Sequence, residues 1–172
     1  MVRIISEEFE WLYNNKNVFK ALFCYFIDNS FRVQCKVRRL LQYRNKYFKA
    51  FAIQRLEKKY SIKIGSCCYI GDRFHIHHYN GIVIGERVII GSDCQIFEQV
   101  NLGLKNNGYP IVGDNVVLYP GCKIVGKIQI GDNAVVAPNS VVISDVPENA
   151  VVSGIPARII KWRDENCEKH KN

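Results

Sequence analysis

No glycine precedes Gly65 and no proline precedes Pro110, although the 172-residue chain holds twelve of the first and five of the second. A leader without these chain breakers, and rich in Phe, Leu, Tyr, Lys and Arg, reads as helical. Cysteine pairing is also missing: the seven cysteines are odd in number and none sits in a CxxC pair. That argues against a disulfide framework or a zinc finger and for a reducing cytosol. No apolar run is long enough to span a bilayer, because Lys20 interrupts residues 18–27 and a span takes roughly 20 residues. Glu7, Glu8 and Glu10 fall where a secretory signal would need an apolar core, so no such signal is expected. Acid is scarce too. Residues 16–59 hold twelve Lys or Arg against Asp28 and Glu57 alone, within a formal net charge of +8. Such a block suits an anionic membrane surface, a phosphorylated ligand or nucleic acid, or is simply a solvated helix face.

Phe19, Leu22, Phe23, Phe26 and Ile27 share one helical face, and Val33, Val37, Leu40 and Leu41 resume the pattern after Asp28-Asn29-Ser30. Two or three short helices are predicted within residues 6–60. From Ile62 the pattern changes. Aliphatics recur every six residues at Ile64, Ile70 and Ile76, then at Ile84, Ile90, Ile96 and Leu102, then at Val112, Leu118, Ile124, Ile130, Val136 and Val142. Small or apolar residues follow four positions later, among them Cys68, Cys94 and Cys122, read as packing residues. One hexapeptide makes a short strand and a turn, three close a triangular coil, and stacked coils share a core. The predicted fold is mainly β, a left-handed parallel β-helix with a short N-terminal α-helical extension. Residues 1–61 form the extension, 62–160 the β-helix with a loop at 104–110, and 161–172 a polar C-terminal tail.

Function tends to sit where such a repeat is interrupted. One slip falls at residues 80–83, just after His75, His77 and His78; the other inserts the polar loop. His75 and His77 share one side of a strand, which is weak ground for a metal site, and none is expected. Histidine suits the removal of a hydroxyl proton near neutral pH, and no Ser or Cys nucleophile with a partnered base is recognisable, so direct transfer is expected. The remaining histidine, His170, lies in the tail.

The string His78-Tyr79-Asn80-Gly81-Ile82-Val83-Ile84-Gly85-Glu86, with Val100-Asn101-Leu102-Gly103 and Gly154-Ile155-Pro156-Ala157-Arg158-Ile159-Ile160, resembles the serine acetyltransferase branch of the hexapeptide acyltransferases. The resemblance covers about 100 residues, 62–161. It implies acetyl-CoA as co-substrate, His78 as catalytic base, and backbone N–H near Gly103 steadying the oxyanion. It also implies a CoA track beside Gly103, Pro120 and Pro138, with Arg158 and Lys161 at the phosphates, and a homotrimer.

The departures are specific. His77 stands where that branch has Asp, Gly108 and Tyr109 stand where it has an Arg-His pair, and Lys63 takes the place of the Asp that orients the base. Without those charges a free amino acid loses partners for its ammonium and carboxylate. The chain is in these respects more similar to acetyltransferases of colanic acid, capsule and O-antigen clusters. A saccharide O-acetyltransferase of surface polysaccharide biosynthesis is therefore expected, with His77, Tyr79, Asn80 and Tyr109 holding the sugar and Phe97 either stacking on it or covering a neighbouring coil. Serine O-acetylation for cysteine biosynthesis and a non-catalytic β-helix binding module are the alternatives. The expected setting is cytoplasmic, with peripheral contact to an anionic membrane through the basic leader, a lipid-linked or small saccharide as acceptor, and no nucleic-acid partner.

Overall fold

The computed structural model describes residues 1–163. Cys167, His170 and the tail from 164 onward lie outside the described residues. Four helices lead the chain: α1 (Val2–Tyr13), α2 (Val18–Ile27), α3 (Asn29–Leu41) and α4 (Lys46–Tyr60). Asn17, Asp28 and Asn45 cap α2, α3 and α4 by accepting hydrogen bonds from backbone N–H groups in the first turn. Arg38 and Arg39, like Lys58 and Lys59, sit in last turns, where the helix dipole favours cations. The number exceeds the two or three expected because α1 was hidden by its acids. Ile4, Ile5 and Phe9 bury one side of α1 against Ala21, Phe31 and Cys35, a small core of its own.

Fifteen strands follow among the described residues. They are β1 (Lys63–Ile64), β2 (Tyr69–Ile70), β3 (His75–Ile76), β4 (Val83–Ile84), β5 (Ile89–Ile90), β6 (Gln95–Ile96), β7 (Asn101–Gly103) and β8 (Ile111–Val112). Then come β9 (Val117–Leu118), β10 (Lys123–Val125), β11 (Gln129–Ile130), β12 (Val135–Val136), β13 (Val141–Val142), β14 (Ala150–Gly154) and β15 (Ala157–Trp162). Up to β13 each strand from β4 on stacks on the one three before it, and β14 stacks on β12. The first face is β1-β4-β7-β10-β13, the second β2-β5-β8-β11, and the third β3-β6-β9-β12-β14-β15. All pairings are parallel except the last, where β15 folds back antiparallel on β14. This is the expected β-helix.

Each aliphatic of the six-residue series is buried, from Ile64 to Val142, and so is the residue four places on, except at the two slips, where Asn80 and Asn106 are exposed. Cys68, Cys94 and Cys122 fill that second position as buried free thiols. Burial pushes the thiols of Cys68 and Cys94 up to about 11 and that of Cys122 to about 12. They stay protonated near neutral pH and serve as packing atoms, not thiolate nucleophiles. Corners are turned in the left-handed region, mostly by Asn: Asn115, Asn133, Asn139 and Asn149 all have φ between 55° and 59°. The closing strand runs on to Trp162, into the stretch expected as tail. No helix among the described residues is long and apolar enough to cross a membrane.

Candidate active site

His75 lies on β3 and His77 and His78 follow it; β3 is the outermost strand of the third face, whose free edge would expose unpaired backbone groups. Helix α3 covers that edge with one side chain. The Gln34 carboxamide accepts from Ile76 N–H at 2.9 Å and donates both to Phe74 C=O and, at 3.0 Å, to Glu8 Oε2. Glu8 in turn takes the Arg38 guanidinium at 2.9 Å, and both side chains are largely buried. A buried carboxylate is tolerable when it is paired and hydrogen-bonded in this way. The histidine strand is thus clamped by residues 26 or more positions away, which no local pattern announces.

Outward on the same face, His77 stacks on Phe97 at 4.2 Å and Phe97 on Tyr119 at 5.3 Å, a ladder of rings one per coil. His77 Nε2 lies 2.9 Å from Gln95 Oε1, and the His75 ring is 4.0 Å away. Trp11 of α1 packs edge-on to His75. Among the described residues no group of three His, Cys, Asp or Glu gathers to hold a metal ion.

His78 is placed differently. Its neighbours pair regularly: His77 N–H reaches Ile96 C=O at 3.0 Å, and Gln99 N–H reaches Asn80 C=O at 2.8 Å. Ile76 pairs with Ile96 and Val83 with Asn101, so the upper coil needs two residues more than the lower. Those two are His78 and Tyr79, immediately before residues 80–83, where the hexapeptide count put the slip. The bulge turns His78 into solvent while Tyr79 folds inward, half-buried, with its ring edge-on to Tyr60 at 5.6 Å. Below the bulge the same corner repeats as Glu98, Pro120 and Pro138, tied by Gly121 N–H to Glu98 C=O and Asn139 N–H to Pro120 C=O, both 2.9 Å. Coils are about 4.8 Å apart, so these residues form one straight track. Glu98 Oε2 is buried there and meets no hydrogen-bond partner among the described residues. The track ends near Arg158, which pairs with Ser153 across β14 and β15 and is exposed, as is Lys161.

The other expected residues go elsewhere. Asn80 is exposed at the bulge. Gly103 ends β7 at the opposite corner of the first face, so it does not share the track with Pro120 and Pro138. Gly103 and Tyr109 instead line a groove of about 770 Å³ between α4 and the first face, together with Lys63, and His78 is not part of it. Tyr109 lies directly over Gly85, where a Cβ would meet its ring at 2.6 Å. The 104–110 loop is a tight hairpin closed by reciprocal Lys105–Gly108 backbone bonds of 3.1 Å, with Asn106 and Asn107 both left-handed. Glu98 and Gln34 were missed by sequence reasoning. Glu98 could have been found by threading the corner positions through the slip; Gln34 gives no signal.

Residues 109–144 match the bacterial transferase hexapeptide family, six repeats. The chain belongs to the hexapeptide-repeat transferases. A serine acetyltransferase of Bacillus licheniformis is 35% identical over 142 residues, covering 80% of this chain and 66% of its own length. One of Staphylococcus aureus is 38% identical over 121 residues, covering 67% of this chain and 57% of its own. The chain thus spans less than two thirds of either relative. A serine acetyltransferase of Neisseria gonorrhoeae solved in complex with serine superposes with a TM-score of 0.75 at 26% identity, over 93% of this chain and 67% of that one.

These relatives overturn the expectation of a surface-polysaccharide saccharide acetyltransferase, since those at 35–38% identity are named serine acetyltransferase. The geometry supplies a physical reason. Stacking on a sugar ring takes an open aromatic face, but Phe97 is sandwiched between His77 and Tyr119, and Tyr79 packs against Tyr60. Phe97 covers its neighbouring coils.

Proposed function

We propose that this chain transfers the acetyl group of acetyl-CoA to the hydroxyl of L-serine, with His78 as general base. The observation that carries the reading is the bulge: two extra residues at one corner of a regular solenoid set an exposed imidazole at the head of a straight track. His78 takes the hydroxyl proton while the oxygen forms its bond to the acetyl carbon. The C–S bond breaks, and His78 returns the proton to the departing thiolate. Protonated thiols at Cys68, Cys94 and Cys122 support direct transfer over an acyl-enzyme. In this reading Glu98 lies beneath His78 and orients its ring, while Pro120 and Pro138 flank the pantetheine arm. Arg158 and Lys161 meet the CoA phosphates.

The family's oxyanion donor, the backbone at Gly103, lies across the first face from His78. In this proposal the two meet between adjacent subunits of a homotrimer. The exposed column Tyr69, Ile89 and Ile111 on the second face supports lateral association. The abundance of free thiols supports a cytoplasmic setting.

The test is acetyl transfer from acetyl-CoA to L-serine by the purified chain, followed by thiol release. Wild-type protein is expected to turn over, and His78→Ala to lose about 10²–10⁴ in kcat. Wild-type rates in His78→Ala would remove the base. No turnover with L-serine by a chain that binds acetyl-CoA in calorimetry would remove the acceptor.

A further inference from the structure

We propose that the helical leader contains a second ligand site, separate from the track, that takes a phosphate group. Helices α2, α3 and α4 enclose a cavity of about 440 Å³ lined by Lys36, Arg39, Arg55 and Lys59 with Tyr25 and Tyr60. No acidic residue lines it: Glu57, on the opposite side of α4, lines the groove against the first face instead. None of the four cations makes an ion pair among the described residues. Their neighbour Arg38 points away, to Glu8 and Asp72.

Aromatic rings, not carboxylates, hold these cations. The Lys36 and Lys59 ammonium groups lie 5.2 Å and 5.6 Å from the Tyr60 centroid, and Arg55 and Arg39 lie over Phe51 and Tyr43. Ring faces place positive charge without neutralising it. Four such charges converging on one cavity repel one another, and an anion bound among them removes that cost.

A second observation points the same way. Tyr60 is 5% exposed, and its hydroxyl is buried with no hydrogen-bond partner among the described residues. A buried phenol O–H is normally satisfied. A phosphate oxygen in the cavity would accept from it, while two guanidinium forks and two ammonium groups take the remaining oxygens. A single carboxylate would leave most of these donors unused.

Two sources share this chemistry: a soluble phosphate compound and the headgroup of an anionic lipid. Phe48 and Phe51 line the cavity while remaining exposed at 64% and 59%, so an acyl surface could rest against its rim.

The test uses the full chain and two probes: inorganic phosphate by calorimetry, and co-sedimentation with phosphatidylglycerol–phosphatidylcholine vesicles against phosphatidylcholine alone. Saturable binding to at least one probe is expected. Arg39→Ala/Arg55→Ala should weaken it about tenfold or more, and Tyr60→Phe, which keeps the packed ring, by several-fold. Arg87→Ala/Lys127→Ala, the same charge loss on the solenoid, should leave it intact. Phosphate binding without gain on vesicles assigns a soluble ligand; vesicle binding alone assigns a headgroup. Failure to bind either probe overturns the site, as does equal weakening by the two double variants, which would mean diffuse attraction.

Discussion

At the scale of single residues, the proposed reaction turns on the imidazole of His78 and the carboxylate of Glu98. The two extra residues of the bulge push His78 outward, and the next coil puts Glu98 at the same corner, with one oxygen buried and unbonded among the described residues. A desolvated carboxylate oxygen is costly unless something uses it. If it steadies the ring of His78, Glu98→Gln should lower kcat about tenfold while KM for acetyl-CoA and the melting temperature hold, and Glu98→Asp should recover part of the loss. Steady-state kinetics decide this. A variant whose KM rises with kcat unchanged would mark Glu98 as a binding group instead.

At the scale of elements, the clamp between α3 and β3 sets where the histidines stand. Gln34→Ala would strip Ile76 N–H, Phe74 C=O and Glu8 of a shared partner in a buried place. Each orphaned group costs about 1–3 kcal/mol, so urea denaturation should show a loss of at least that size. Gln34→Glu, which keeps the acceptor for Ile76 N–H but sets a second carboxylate against Glu8, should lose as much. Elements also show what was legible in the sequence. The inward aliphatics of the solenoid were readable, because a six-residue period admits one class of packing and each buried aliphatic repeats the signal. The helices were readable as a class but not in number, since Glu8 looked like a surface charge until its partner Arg38 came from another helix. The bulge was placed too late, at residues 80–83 instead of His78 and Tyr79, because periodicity counts how many residues are extra but not which pairings survive. The acceptor was misread from the charges missing at His77, Gly108, Tyr109 and Lys63, and the rings then assigned to a sugar were visible by type but not in their stacking on one another.

At the scale of the whole molecule, the leader and the solenoid are one folded unit in which helices seal the top coil and β15 seals the bottom. Helix α4 packs on β1 and α3 on β3, while the antiparallel β14–β15 pair ends the parallel stack. Removing residues 1–61 would bare the first coil and its hydrophobic end, including Ile62, Ile64 and Ile76, all at most 3% exposed in the intact chain. Light scattering of such a truncation should show concentration-dependent growth of large species that the full chain does not form. A truncation that stays monodisperse would show that the helices are dispensable lids.

The Gln34 carboxamide mimics a strand, offering β3 one acceptor and one donor in the places where a further rung would have supplied them. On this face, a stack that could otherwise add rungs, chain upon chain, is brought to a stop by that amide. Its length is set by a side chain outside the repeat.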